Sequence, residues 1–393
     1  MSQQPRIAGI SIVCVYNDPE VLDECLSRSV AGYSGPLDID YLPMDNTSHW
    51  YHSAGAALNA GARRARHETV VFVHQDVFIH SFDRLAEAGA LLGDEWGMLG
   101  ANGMDSRGGS VGRMRDRILL IGASAPAPVD VDTLDEVLFM VGRSRIIDSP
   151  LAEDPELSWH AYAVEYSVRL RRAGLRVGAV DLAITHNSMS TNMAKLDVAH
   201  AFVGESYADL RPIHTTCGAI GSKRSRVRQL PLIRSQGWRL NWLKRSVEAL
   251  RVRRTIGERT IIGDISHDVD LLSFGTGSPL QVINFDDSGS FARLASGALT
   301  LTRNGRPVSM QAVDDISEIV DVLRTSPVDS RILLTDLTLR DLKLIGTELS
   351  GRRWIAGVQP GVIWLLSGPD LDRPPPQWSR PQVVPAGASI RWN

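Results

Sequence analysis

The sequence TVVFVHQDVFI, residues 69–79, decides the fold that we predict for this chain. Its first five residues are β-branched or aromatic, which is typical of a strand buried on both faces, and the polar triplet His74-Gln75-Asp76 follows them. Ligands of open α/β sheets bind outside the carboxyl ends of the strands, where a carboxylate can hold a divalent cation against a diphosphate. Asp76 is therefore the first candidate metal ligand. The alternative interpretation is that the triplet only ends the strand and begins a turn.

Strand and helix patterns alternate around this stretch, in the order strand, helix, strand, helix, strand. The two other strands are predicted at residues 7–15 and 37–43, and the two helices at residues 21–26 and 53–66. This order predicts a parallel, doubly wound α/β sheet, because right-handed crossovers bring successive strands into one sheet with the same direction. The loops at residues 16–18, 45–46 and 74–76 should then converge at one edge of that sheet.

The composition favours a cytoplasmic protein with more than one domain. The chain has 393 residues, and roughly 100–200 residues per domain is usual. Its net charge of −3 gives no general reason to expect nucleic acid as a partner. The three cysteines lack C-x-x-C spacing, which argues against a disulfide framework or a structural zinc site and fits a reducing compartment. Neither a signal peptide nor an apolar window of about 18 residues is evident, so we predict neither secretion nor a membrane span.

The order and spacing of several short motifs resemble the family 2-like glycosyltransferases of the GT-A fold. The motifs are SIVCVYND (11–18), the pair Asp45-Asn46, AALNAGARRA (56–65), FVHQDV (72–77), LDEVLFMVGRS (134–144), WHAYAVEYSVRLRRAGLRVGAV (159–180) and ITHNS (184–188). The HQDV form is similar to the branch in which a His-x-Asp replaces the usual Asp-x-Asp. The resemblance implies a sugar transfer from a UDP-, GDP- or dTDP-sugar to a hydroxyl of a glycan or lipid-linked saccharide, in the synthesis of cell-surface polysaccharide.

The same resemblance implies roles for individual residues, with Mn²⁺ or Mg²⁺ as the cofactor and inversion at the anomeric carbon. The nucleotide-sugar would contact Val15, Tyr16, Asn17, Asp45, Asn59, His74, Gln75 and Asp76. The acceptor side would include Asp135, Trp159 and Tyr162, and the metal ligands would be Asp76 and His186. The alternative for His186 is a histidine whose hydrogen bonds are satisfied at the surface or in the core, and the alternative for Asp135 is a carboxylate at a strand edge.

The general base is the site residue for which the resemblance gives least guidance. Many family 2 enzymes carry an Asp in an E-D pair, and this chain has Tyr162-Ala163 there. Glu165 is then the first candidate, followed by Asp154 and His160. Because of this departure, the alternative function is an inactive GT-A-fold protein that binds a nucleotide or glycan or acts as a scaffold. Sugar-nucleotide pyrophosphorylases are disfavoured, since no glycine-rich loop with Arg or Lys follows the first strand.

The sequence predicts four segments: a catalytic domain at 1–222, a basic amphipathic helical linker at 223–254, a smaller C-terminal α/β domain at 255–373 and a proline-rich tail at 374–393. The linker has eleven Lys or Arg and one acid in 32 residues, interleaved with Trp238 and Trp242. This composition is typical of an interfacial helix on an anionic membrane, which would make the protein peripheral at the inner face of the membrane. The alternative is a helix that packs on the catalytic domain with its charges solvated. A role in nucleic-acid binding is disfavoured by the lack of a recognition motif.

Overall fold

The computed structural model describes residues 9–188, 194–221, 280–303, 305–326, 331–337 and 341, with the segments 354–359, 362–366 and 382–384. The chain divides into two compact units. The first unit comprises Met1–Asp116, Ile121–Ser188 and Asn192–Leu230, and the second comprises Arg117–Leu120, Met189–Thr191 and Pro231–Asn393. The four-segment division of the sequence stays a prediction.

The described strands of the first 221 residues are short apart from the first two. In chain order they are β1 (Gly9–Tyr16), β2 (Asp38–Asp45), β3 (Thr69–Val73), β4 (Val77–Ile79), β5 (Trp96–Gly100), β6 (Gly103–Met104), β7 (Ser110–Val111), β8 (Met114–Asp116), β9 (Leu119–Ile121), β10 (Val129–Asp130), β11 (Thr133–Leu134), β12 (Leu138–Gly142), β13 (Arg176–Ala179), β14 (Ile184–His186), β15 (Ile213–Thr215) and β16 (Gly218–Ile220).

The described helices of the same region are α1 (Pro19–Leu22), a π-helical turn (Asp23–Ser27), α2 (Arg28–Ala31), α3 (Ala54–Arg64), α4 (Phe82–Gly89), α5 (Arg143–Asp148), α6 (Tyr162–Arg172), α7 (Leu196–Ser206) and a 3₁₀ turn (Ala208–Leu210). Side chains cap several of these helices. Asp18 accepts hydrogen bonds from the first turn of α1, Ser53 caps α3 and Ser81 caps α4. None of the described helices is long and apolar enough to cross a membrane.

Seven strands of the first unit form one sheet in the order β10-β13-β5-β12-β3-β1-β2. β1 is parallel to both β2 and β3, and β13 is parallel to β5. β12 is antiparallel to its neighbours β3 and β5, and the edge strand β10 is antiparallel to β13. Five of the seven strands therefore run in one direction, which confirms the predicted α/β class with a mostly parallel sheet.

The predicted strand at 69–79 divides at its polar triplet. All five residues of β3 are buried, with Val70 and Phe72 in the core cluster on one face of the sheet and Val71 and Val73 in the cluster on the other. The triplet then interrupts the strand, and the chain resumes as β4, which joins β14 and β8 in a second sheet. The interruption places three polar side chains at the carboxyl end of a central strand.

The small residues of α3 allow this helix to lie close to the sheet. A Cβ atom on Gly61 would lie 2.2 Å from Val13 Cγ1 of β1, and one on Gly55 would lie 2.2 Å from the carbonyl oxygen of Ala152. A larger side chain at either position would push the helix away. This close approach explains why the glycines of the AALNAGARRA segment occur in a helix, where glycine otherwise costs about 1 kcal/mol.

The second unit is the smaller α/β unit that the sequence predicts. Its described strands are β17 (Leu280–Phe285), β18 (Leu299–Arg303), β19 (Arg306–Val313), β20 (Arg331–Thr335), β21 (Trp354–Gln359), β22 (Val362–Leu366) and β23 (Gln382–Val384), and its described helices are α8 (Ser290–Leu294) and α9 (Ile316–Thr325). The strands form one sheet, in which β17 is parallel to β19 and β20. Ile319 and Leu323 of α9 pack on the buried apolar residues of these strands. The Asn284 side chain also donates to the carbonyl oxygen of Ile118, a residue of the same unit.

Several sequence predictions lie outside the described residues. They are the whole basic run at 223–254, with its two tryptophans, the predicted strand at 269–274 and most of the proline-rich tail. The predicted helix at 339–348 is described only at residue 341. These predictions stay as they are.

Candidate metal site and its surroundings

The three loops that the sequence places at one sheet edge are joined by hydrogen bonds. The Oε1 atom of Gln75 accepts from the backbone N–H groups of Asn17 (3.0 Å) and Asp18 (3.1 Å), and its Nε2 atom donates to Asn17 Oδ1. The backbone N–H of Asn46 donates to the carbonyl oxygen of Tyr16 at 2.8 Å. Gln75 thus fixes the loop after β1 against the loop after β3.

His74, Asp76 and His186 form the one group of three or more His, Cys, Asp or Glu residues with metal-ligand spacing among the described residues. One potential ligand atom from each lies within 4.8 Å of those of the other two. Backbone pairing brings them together, because β4 and β14 are antiparallel with His186 opposite Val77, and the N–H of Asn187 donates to the carbonyl oxygen of Asp76.

The charges of these three side chains depend on one another. Burial alone would raise the pKa of Asp76, but the charge and hydrogen bond of His186, with a contribution from His74, hold that pKa well below its ordinary value. Burial alone would lower the pKa of His186, but Asp76 and Asp116 raise it well above the ordinary value. The pKa of His74 is lowered, chiefly by burial and also by His186. Without a metal, the arrangement stabilises a carboxylate beside one protonated and one neutral imidazole.

A divalent cation fits this group. The Oδ1 atom of Asp76 is buried and has no hydrogen-bond partner among the described residues, and it lies 3.4 Å from His186 Nε2. A buried carboxylate oxygen without a hydrogen-bond partner is costly, and a cation would remove that cost. Two imidazoles and one carboxylate form a donor set that suits first-row transition ions, with positions left for other ligands.

Two further side chains contact the histidines. The Nδ1 atom of His186 lies 2.8 Å from Asp116 Oδ1, at the end of β8, and His74 Nε2 lies 3.2 Å from the hydroxyl of Tyr162, the first residue of α6. Burial, with the charges of Glu136 and Asp135, raises the pKa of Tyr162 well above its ordinary value. The phenol is therefore neutral at physiological pH.

Asp135 and Glu136 lie beside the metal group. The register that pairs Leu138 with Val73 places the residues before β12 next to those after β3, and the N–H of His74 donates to the carbonyl oxygen of Val137. Asp135 accepts hydrogen bonds from the N–H of Val137 (3.0 Å) and from Thr216 Oγ1 (2.6 Å). Burial and the charge of Asp135 raise the pKa of Glu136 to about 8, and its buried Oε1 atom has no hydrogen-bond partner among the described residues.

The chain resembles three solved proteins, and no protein-family model or curated protein matches it. GalNAc-T7 with UDP, GalNAc and Mn²⁺ gives a TM-score of 0.38 at 13% identity, with 52% of this chain and 49% of that chain covered. The mannosyltransferase PcManGT from Pyrobaculum calidifontis, in complex with GDP-Man and Mn²⁺, gives 0.34 at 16% identity, with 50% and 60% covered. S. aureus TarS gives 0.32 at 14% identity, with 51% and 39% covered. The chain covers less than two thirds of each protein, and no score reaches 0.5, so this likeness assigns neither a family nor an activity.

The first candidate base, Glu165, is engaged by other side chains. Its carboxylate accepts from Tyr207 at 2.6 Å and from Arg169 at 3.1 and 3.2 Å, and the residue is buried. These bonds tie α6 to Tyr207 and account for both carboxylate oxygens. The role of Glu165 as a base stays a prediction, although its contacts are those of a structural ion pair.

The remaining predicted residues lie in two places. Val15, Tyr16 and Asp45 are at the ends of β1 and β2, where Asp45 accepts from the N–H and the hydroxyl of Thr47. Asn59 is buried in α3, and its amide bonds the backbone of Leu151 and the carboxylate of Glu153. The loop from Leu151 to Ala161 carries the others: an exposed Asp154, an exposed Trp159 and a half-buried His160.

Sequence reasoning did not single out Asp116, Glu136 as a buried acid, or Thr216. It assigned His74 to the nucleotide-sugar, whereas the structure groups His74 with Asp76 and His186 as a possible ligand. The His-x-Asp spacing was the available signal, because residues two apart across a strand end can point to one site. For Asp116 there was no such signal, since it is 70 residues from His186 in the chain.

Proposed function

We propose that this chain is a metal-dependent glycosyltransferase that moves a sugar from a nucleotide-sugar donor to an acceptor hydroxyl, with inversion. The observation that carries the proposal is the buried Asp76 Oδ1 atom, which has no hydrogen-bond partner among the described residues and lies with His74 and His186 at the carboxyl end of β3. A cation held there would neutralise negative charge on the diphosphate leaving group. The order of motifs that resembles family 2 enzymes supports the same function.

We assign the metal ligands to His74, Asp76 and His186, and we expect Mn²⁺ rather than Mg²⁺. Imidazole nitrogen is a common ligand of transition ions, whereas Mg²⁺ strongly prefers oxygen. Two histidines among three protein ligands therefore favour Mn²⁺. The loop after β1, which Gln75 holds in place, and Asp45 at the end of β2 would contact the nucleotide.

The acceptor hydroxyl must lose a proton as its oxygen attacks the anomeric carbon. We propose Asp135 as the residue that takes this proton, because it lies beside His74 and both of its oxygens are oriented by hydrogen bonds from Val137 and Thr216. Glu136 has a raised pKa and would be largely protonated near neutral pH, so it suits a hydrogen-bond donor better than a base. Inversion follows from a single displacement.

The second candidate function is binding of a nucleotide or glycan without turnover. The observation in its favour is that Tyr162 and Ala163 stand where the family has its E-D pair, while the Glu165 carboxylate is engaged by Arg169 and Tyr207. This function would keep the metal group and lose only the base.

Thermal shifts with UDP-, GDP- and dTDP-sugars, each with and without Mn²⁺, test binding, since a ligand of the native state raises its apparent stability. UDP-GalNAc and GDP-mannose are suitable first probes. Release of free nucleoside diphosphate in the presence of acceptor saccharides tests turnover. Metal-dependent binding with no release supports the second function, and no metal-dependent binding by any donor contradicts both.

We also propose a cytoplasmic location with peripheral attachment to an anionic membrane that carries a lipid-linked acceptor. The support is the sequence of the basic run at 223–254 alone, where cations alternate with tryptophan and leucine.

A further inference from the structure

Asp116 contacts the one candidate metal ligand that comes from outside the His-Gln-Asp triplet. Its Oδ1 atom lies 2.8 Å from Nδ1 of His186, while Nε2 on the other side of the imidazole lies 3.4 Å from Asp76 Oδ1. The ring thus stands between two carboxylates, with one nitrogen directed at each. Only the Nε2 side faces the group that His74, Asp76 and His186 form.

The backbone holds this pair in register. β8 and β14 are parallel, with Asp116 paired to His186 and Arg115 paired to Thr185. Beside the pair, Arg115 donates to Thr185 Oγ1, and the two residues are fully buried. Asp116 therefore lies at a fixed place at the end of a strand, and its orientation does not depend on a loop.

We propose that Asp116 is a positioning residue, which holds the proton of His186 on Nδ1 and aims Nε2 at the metal. A neutral imidazole has one N–H donor and one lone pair, and the hydrogen bond made by one nitrogen decides which nitrogen can bind a metal. Carboxylates that accept from a ligating histidine fix its tautomer and orientation and make it a better ligand. The inference rests on the proposed metal site, and it adds a residue that touches neither donor nor acceptor.

The test compares Mn²⁺ binding by the full chain and its Asp116→Ala, Asp116→Asn and Asp132→Asn variants. Electron paramagnetic resonance of free Mn²⁺ gives the dissociation constant without donor or acceptor. Asp116→Ala should weaken binding by about 10- to 100-fold, the usual effect of removing such a partner. Asp116→Asn should fall between Asp116→Ala and the parent, because its amide oxygen still accepts from Nδ1–H.

Asp132→Asn is the matched control. Asp132 makes the same kind of bond, with Oδ2 at 3.1 Å from Nδ1 of His214, and neither residue belongs to the metal group. This variant should bind Mn²⁺ as the parent does. The melting temperatures without metal show whether a variant is merely less stable, and the visible spectrum with bound Co²⁺ shows whether the ligands stay the same.

Equal Mn²⁺ affinity in Asp116→Ala and the parent overturns the inference, as does equal weakening in Asp132→Asn. A parent chain that binds no Mn²⁺ overturns it together with the metal dependence of the proposed function. A parent chain that binds Mn²⁺ but releases no nucleotide refutes the glycosyl transfer alone, and the affinities of the variants still decide the role of Asp116.

Discussion

The hydroxyl of Tyr162 lies 3.2 Å from Nε2 of His74, which joins the first residue of α6 to a candidate metal ligand. Tyr162 stands where the family resemblance leads one to expect the start of an acidic pair. A neutral phenol cannot take a proton from an acceptor, but it can orient an imidazole. The position has therefore changed from a candidate base to a partner of the metal group.

We predict that Tyr162→Phe weakens Mn²⁺ binding by about tenfold and leaves measurable turnover at saturating metal, as expected for a residue that only orients a ligand. Tyr166→Phe is the matched control, because Tyr166 lies on the same helix and its buried hydroxyl has no hydrogen-bond partner among the described residues. Titration of both variants with Mn²⁺ checks the prediction. Complete loss of turnover at saturating Mn²⁺ in Tyr162→Phe would instead indicate a direct catalytic role.

Asp76→Ala should abolish metal-dependent binding of the nucleotide-sugar and leave the fold intact. The residue lies after the end of β3, outside both core clusters, and its carboxylate is the one acidic member of the metal group. Calorimetric titration with Mn²⁺ and donor measures the loss, and circular dichroism checks the fold. Asp83→Ala is the control, because Asp83 is exposed in the first turn of α4. Unchanged affinity in Asp76→Ala would remove Asp76 from the site.

The two candidate bases give opposite expectations. If Asp135 is the base, Asp135→Asn lowers kcat by a factor on the order of 10² to 10⁴ with little change in donor affinity. Glu165→Gln then lowers the melting temperature, because it breaks a buried ion pair with Arg169, and changes kcat far less. The reverse pattern of rates would return the role to Glu165, and a loss in neither variant would transfer it to Asp154 or His160.

The pH dependence of stability should carry the mark of Glu136. Its pKa of about 8 in the folded protein exceeds the ordinary value of about 4.5, so between these values the folded state binds more protons than the unfolded state. Stability from this group is therefore lost as pH rises through that window. Glu136→Gln cannot ionise, and its melting temperature relative to the parent should increase steadily from pH 5 to pH 8. An exposed acid, Glu87→Gln, should show no such trend. A constant difference between Glu136→Gln and the parent would mean that Glu136 is ionised in the fold.

The sequence predicts the parts of the site that depend on local pattern. The β-branched run and its polar triplet predict β3 and the strand end at His74, and alternation of elements predicts that the loops after β1, β2 and β3 meet. The partners supplied by distant strands could not be predicted in this way. β8 has only three residues and includes a fully buried arginine, so neither periodicity nor hydrophobicity identifies it as a strand. Likewise, no local signal gives the reversed direction of β12, which places Asp135 and Glu136 beside His74.

The last prediction concerns the basic run at 223–254, which we expect to bind anionic bilayers. Each cation that reaches such a surface contributes about 1 kcal/mol, so four or five of the eleven would give reversible attachment. Sedimentation with neutral and anionic vesicles, at low and high salt, measures it. Binding should require anionic lipid, weaken with salt and decrease in the double variant Trp238→Ala/Trp242→Ala. Trp50→Ala is the control, since Trp50 is 83% exposed in the first unit and lies outside the run. If the chain stays in the supernatant with anionic vesicles at low salt, the run serves as a linker and the acceptor must reach the site without help from the membrane surface.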